Sequence, residues 1–240
     1  MRSMPGVTGG TACVVFGGAA AVMAYGVRAR SSTLFAPSVY RGPASAPAIA
    51  LTFDDGPSES TPQLLELLAK HRARATFFQC GANVERLAEV AREVVRAEHE
   101  VGNHSQTHPR FYFRTPAFIR DELARAQHAI ENATGFSPGL FRAPFGVRWP
   151  GMRDAQKRLN LLGVMWTVIG RDWKLDASAV VRRVLKGLKN GAIVCLHDGR
   201  QLQARPDVTG TIEAVRRLLP MIQAAGYRLE TVSQLICPTN

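Results

Sequence analysis

The sequence is short of cysteine and of acid. Its 240 residues include four cysteines, Cys13, Cys80, Cys195 and Cys237, with no CxxC pair and no zinc-knuckle spacing, so a structural zinc motif of that kind is excluded. Cys13 lies in an apolar leader, and three remaining thiols cannot all pair within one chain. They are expected to be small buried hydrophobes rather than a disulfide framework, with one bridge open in an oxidising compartment. Asp and Glu number 19 against 30 Lys and Arg, a formal charge of +11. The basic residues are scattered and form no block interleaved with aromatics, which argues against nucleic acid as the partner. What remains is a non-specific attraction to anionic membranes or cell-wall polymers. Repeats and low-complexity segments are also missing. The 46% apolar and 20% charged content is that of an ordinary globular protein with room for one large domain or two small ones.

Residues 11 to 27, TACVVFGGAAAVMAYGV, carry no charge, with Arg2 before them and Arg28 and Arg30 after. Residues 1–30 therefore read as a signal peptide or a single membrane anchor, delivering the rest outside the cytoplasm. Residues 31–47 mix Ser, Pro, Gly and Ala and read as a linker. From Ala48 onward short apolar runs alternate with amphipathic stretches. Strands are expected at Ala48 to Phe53, Ala75 to Gln79, Glu100 to Gly102, Leu140 to Arg142, Val164 to Val168, Ala192 to Leu196 and Arg228 to Val232. Helices are expected at Thr61 to Lys70, Val84 to Ala97, Pro116 to Ala133, Met152 to Leu159, Ala177 to Leu188 and Thr211 to Ala225. This alternation implies parallel strands with helices packed outside, an α/β fold in which periodicity does not separate a barrel from an open sheet.

Such folds place their chemistry on the loops at strand C-termini, and several strands here end in polar residues. In TFDDGP, adjacent carboxylates follow an apolar strand, where burial is costly without a partner or a metal. Asp54 and Asp55 either cap the next helix or divide between ligating a metal and working beside it. In HSQTH, His104 and His108 stand four apart, as on one face of a helical turn, and both can reach one ion. With Asp55 they make a two-histidine, one-carboxylate set that zinc accepts, as do cobalt, manganese and iron. His71, His99 and His128 read as ordinary residues on or near polar helix surfaces. In RAPFG, Arg142 offers a rigid fork of donors for orienting a carboxylate. In CLHDG, His197 stands at a strand mouth, and Asp172 of IGRDW can accept from one of its nitrogens and raise its pKa. Trp173 can supply an apolar wall.

The ordered set TFDDG, HSQTH, RAPFG, RDW and CLHDG resembles the NodB-homology polysaccharide deacetylases, carbohydrate esterase family 4. The resemblance spans residues 48–235 and implies a distorted, incomplete (β/α) barrel. It implies Asp54 as general base, Asp55, His104 and His108 as ligands of one divalent ion, zinc foremost, and His197 as general acid. Arg142 would orient Asp54, and Asp172 would tune His197. The Phe145 N–H would help hold the oxyanion, while Trp173 and Leu196 would shape the pocket for the acetyl methyl. The implied activity is removal of N-acetyl groups from an extracytoplasmic polysaccharide such as peptidoglycan or chitin-like oligomers. The alternatives are an O-acetyl esterase and a non-catalytic glycan-binding protein. Ile169 and Ala143 depart from the family's usual Asp and Pro and affect only the expected rim.

Overall fold

The computed structural model describes residues 9–237, with side chains from residue 18 onward; Arg2 and the side chain of Cys13 lie outside the described residues. The main sheet contains β1 (Ser38–Val39), β2 (Ala48–Gly56), β3 (Thr76–Gln79), β4 (Glu100–Asn103), β5 (Leu140–Phe141), β6 (Leu162–Val164), β7 (Val168–Ile169) and β8 (Ile193–His197). They run in the order β1-β6-β5-β4-β3-β2-β8-β7, and β9 (Arg228–Leu229) pairs with the start of β2. Every ladder is parallel. The sheet curls, but its end strands β1 and β7 do not pair, so the fold is an open, partial α/β barrel. Outside it pack α2 (Thr61–Lys70), α4 (Ala88–Arg96), α5 (Pro116–Thr134), α7 (Ala177–Gly187) and α8 (Thr209–Ala224).

The period of two along each strand decides what reaches the barrel interior. On β2, Ile49, Leu51 and Phe53 enter the main core with Leu64, Leu68, Val180 and Leu218 of the helical layer. Ala48 and Ala50 face the other way, into a smaller cluster with Phe78 and Ile193. Thr52 and Asp54 continue that inner row to the strand's C-terminal end. On β8, Val194 and Leu196 belong to the main core, so Cys195 and His197 take the inner face. Parallel register then sets Thr52 beside Cys195 and Asp54 beside His197.

Several expectations need correction. The single strand expected over Val164 to Val168 is two, β6 and β7, far apart in the sheet order, with β6 second from one end and β7 at the other. The carbonyls of Val164 and Met165 accept from the Arg142 guanidinium instead. The helix expected from Val84 to Ala97 breaks at Leu87 (φ −129°, ψ 48°), between α3 (Gly81–Arg86) and α4. His99 is buried, its Nδ1 accepting from the Ala75 N–H, and burial with Arg74 nearby pushes its pKa down to about 4. Cys80 and Cys195 are buried thiols, but Cys237 is exposed, and none of the three is paired.

The residues ahead of β2 are packed against the domain. Helix α1 (Gly9–Arg28) ends with Val27 buried against Phe111, Phe141 and Met152, and Ala36 joins the same cluster. Among the described residues no helix is long and apolar enough to cross a membrane. Ser38 and Val39 add the edge strand to β6. The Arg148 side chain, 1% exposed, donates to the carbonyls of Ala29 and Ser32. Arg148→Ala leaves the buried Ser32 carbonyl without its partner, at a cost of roughly 1–3 kcal/mol, while the Ala29 carbonyl keeps the Ser32 N–H. The expected result is a loss of about 1–3 kcal/mol in denaturant unfolding, with early proteolysis between residues 29 and 37. Wild-type stability and protection would show that the segment is not fastened there.

Candidate metal and acid–base site

The two aspartates of TFDDG separate because β2 is irregular at its end. Asp55 has φ 72°, and the register against β3 shifts between Asp54 and Gly56. This bulge turns both carboxylates into the same mouth, although neighbours on a regular strand face opposite ways. Neither caps α2, whose N-cap is Ser60. Asp55 Oδ2 accepts from the Gln201 N–H at 2.8 Å, leaving Oδ1 turned to the histidines.

HSQTH is a loop rather than a helical turn. Ser105 (φ 66°) and His108 (φ 54°) lie in the left-handed region, and Glu122 holds the loop by accepting from the Thr107 N–H and hydroxyl, each at 2.8 Å. The result still points both rings at Asp55. His104 Nε2 is 3.3 Å and His108 Nε2 3.0 Å from Asp55 Oδ1. The three donors lie within 4.8 Å of one another, and all three residues are buried.

This set fits a metal on its own chemistry. His104 Nδ1 lies 2.7 Å from the Arg142 carbonyl, which can only accept, so Nδ1 carries the proton. In the neutral ring Nε2 then presents a lone pair to a carboxylate oxygen, an arrangement that is repulsive unless a cation sits between them. Burial, reinforced by His104, holds the His108 pKa below its usual value despite Asp55, which favours the neutral, ligating ring. Burial also opposes ionisation of Asp55, yet the two histidines outweigh it and keep its carboxyl well below the usual range.

Beside these donors stand two further groups. Arg142, fully buried, donates from Nη1 to Asp54 Oδ1 and to Thr52 Oγ1, both at 2.6 Å, and its guanidinium stacks 4.1 Å from the centre of the Phe78 ring. His197 Nδ1 meets Asp172 Oδ1 at 2.9 Å. Asp172 Oδ2 is held by the His197 N–H at 2.9 Å and the Thr211 hydroxyl at 2.7 Å. Burial alone would lower the His197 pKa, but Asp172 foremost, with Asp55 and Asp54, raises it to about 9. In metal-free protein, a titration followed by NMR should place this imidazole near 9. Asp172→Asn removes the anion that stabilises the imidazolium, so the midpoint should fall by about one unit or more. An unmoved midpoint would break the assigned coupling.

Asp54, Asp55, His104, His108 and His197 open on one cleft of about 610 Å³, walled by Phe145, Trp166, Ile169 and Trp173, with Arg142 and Asp172 behind it. Phe145 sits in a 3-10 turn with φ 56°, its ring edge-on to His108 at 4.7 Å between centres. Trp173 packs edge-on against His197 at 4.9 Å. Leu196 is not brought to the cleft: it is wholly buried in the main core, on the opposite face of β8 from His197, and Cys195 lines the cleft instead. Cys195 Sγ approaches Asp54 Oδ2 at 3.4 Å. These two and His197 form a second group of possible donors. Burial, with Asp54 close by, pushes the Cys195 thiol well above its usual pKa, which disfavours a thiolate ligand.

Residues 41–164 match the polysaccharide deacetylase family. A chitooligosaccharide deacetylase from Bradyrhizobium sp. (strain ANU 289) is 36% identical over 197 residues, covering 78% of this chain and 90% of the relative. The chain belongs to the polysaccharide deacetylases. A second relative, a peptidoglycan-N-acetylglucosamine deacetylase from Bacillus cereus, is 34% identical over 192 residues, covering 78% of this chain and 87% of its own. A solved family 4 pseudoenzyme from Bacillus anthracis matches with a TM-score of 0.76 at 30% identity, over 83% of this chain and 68% of that one. Membership therefore does not by itself make a chain catalytic; the side chains in the cleft decide.

The cleft also contains Arg28, Arg110, Arg171, Arg200 and Gln201, none of which the sequence pattern singled out. Arg110 follows HSQTH by two residues and Arg171 opens the quoted RDW, and that placement was the available signal. Nothing in the sequence marks Arg28, which arrives from the far N-terminal side.

Proposed function

We infer that this chain hydrolyses the N-acetyl group of N-acetylglucosamine-type residues in an extracytoplasmic polysaccharide, releasing acetate. The observation that carries this reading is one cleft holding a cation-binding triad, a separately oriented carboxylate and an imidazole kept charged by its own aspartate. When bound at Asp55, His104 and His108, a divalent ion, which we assign as zinc, supplies Lewis-acid polarisation of the acyl oxygen and acidifies water. Asp54 takes a proton from the attacking water, with Arg142 holding one of its oxygens so that the other faces the reacting atoms. The Phe145 N–H is assigned to the developing oxyanion, supported by its left-handed backbone at the cleft wall. His197, protonated at neutral pH, gives its proton to the departing amine, a poor leaving group without one. Trp173 shields that imidazole and walls the acetyl side.

The test is acetate release by metal-loaded protein from chitooligosaccharides, from peptidoglycan and from O-acetylated xylan. Release from the two N-acetylated substrates is expected, and release from the xylan alone would replace the amidase reading with an esterase one. We also place the domain outside the cytoplasm, carried there by residues 11–27 and acting through residues 48–235. A reporter fused after residue 40 should be exported; one that stays soluble in the cytoplasm would count against that placement.

A further inference from the structure

We propose that the cleft is built for an acidic glycan, with Arg28, Arg110 and Arg171 receiving a carboxylate on a sugar adjoining the one that is deacetylated. This rests on the deacetylase reading and adds to it the charge of the substrate. The three arginines line the same cleft as Asp55, His104 and His108. Arg28 ends α1 with its guanidinium 5.6 Å from the centre of the Tyr112 ring, and Arg110 lies 4.7 Å from that of Phe145. Arg171, exposed and with φ 58°, precedes Asp172. Among the described residues, no ion pair joins any of these three to a carboxylate. Arg200 differs, since it donates to the backbone carbonyls of Gly199 and Asp172 and lies 4.0 Å from Asp172 Oδ2.

The carboxylates in the cleft do not offset this charge. Asp54 is paired with Arg142, and Asp55 faces the histidines. A cleft lined by three guanidinium groups without an ion-pair partner raises the local potential and attracts anions. Each guanidinium presents a planar fork that matches a carboxylate, and the aromatic rings beneath Arg28 and Arg110 give two of them a seat. A neutral chitin chain offers these groups hydroxyl and carbonyl acceptors but no opposite charge. A lactyl ether on an amino sugar and a uronic acid both carry the required carboxylate.

Steady-state acetate release by the metal-loaded full chain should be compared on three substrates. These are chitotetraose, peptide-stripped glycan strands bearing lactyl carboxylates, and a polymer alternating N-acetylglucosamine with glucuronic acid. At low salt, kcat/KM should be about tenfold higher on an acidic glycan than on chitotetraose, and high salt should shrink the ratio. The better acidic substrate identifies the source of the carboxylate. Arg28→Ala and Arg171→Ala should each raise KM for that glycan by roughly tenfold and lower the acid-to-neutral ratio, with Arg28→Lys recovering part of it. A ratio unmoved by both alanine variants, or a preference for chitotetraose at both salts, would overturn the proposal. If no substrate releases acetate, the deacetylase reading fails. Calorimetric binding of the same glycans then still decides this one: weaker acidic-glycan binding by the alanine variants supports it, and equal binding refutes it.

Discussion

His104→Ala protein, purified and reconstituted alongside wild type, should retain well under a tenth of the wild-type metal and lose about a thousandfold or more in acetate release. Asp55, His104 and His108 are the whole of the first donor set, and the adjacent thiol of Cys195 is held protonated by burial and by Asp54. With one imidazole gone, only two donors of that set remain. His108→Ala should behave alike, because its ring makes the 3.0 Å approach to Asp55. His104→Ala also frees the Arg142 carbonyl from its 2.7 Å partner, so thermal unfolding should be measured in parallel to separate metal loss from misfolding. Elemental analysis finding full occupancy in a folded His104→Ala protein would remove these residues from the site.

The second large effect separates Asp54 from His197. Asp54→Asn should lower the rate about 10²–10⁴-fold on an N-acetyl amide and comparably on an activated acetyl ester, since water must lose a proton in both. His197→Ala should show a loss of the same order on the amide but roughly tenfold or less on the ester, whose leaving group departs with little proton assistance. Metal content should be unchanged in both variants. The pH profile has a definite sign. A general acid must be protonated, so its pKa sets the alkaline limb, placed by Asp172 foremost near 9. A cation on Asp55 cancels part of that carboxylate's contribution and draws the limb somewhat below 9 in the loaded enzyme. Equal losses on amide and ester for His197→Ala would deny that it acts on the leaving group.

The order of strands and helices is legible in the sequence because the apolar runs are long enough to mark each layer. Thr61–Lys70 is a helix with the bounds its leucines suggest, and the run before Asp54 is a strand buried along its whole length. What hides from the sequence is direction. Leu196 and His197 are adjacent on one strand, so only one can face the barrel interior, and the main core takes the leucine. The spacing of His104 and His108 suggests a helical face, yet two left-handed residues in a loop aim the rings. The bulge at Asp55 is equally silent: Gly56-Pro57 signals a turn, not which carboxylate it swings. The break between β6 and β7 depends on Arg142, which draws carbonyls out of the ladder and whose partners are known only once the chain has folded.

The fastening of the N-terminal segment bears on the order in which the molecule is assembled during synthesis. Arg148 grips carbonyls 116 and 119 residues earlier in the chain, and β1 has no partner until Leu162–Val164 exists. The first described part of the chain to leave the ribosome is thus among the last to settle. Chain ends that must wait for distant partners pay their closure entropy late. β2, β3 and β4 can pair while residues 29–39 are still loose, so the pocket's floor exists before its Arg28 wall. A nascent chain halted short of Leu162 would carry Asp54, Asp55, His104 and His108 yet lack the edge that completes their surroundings.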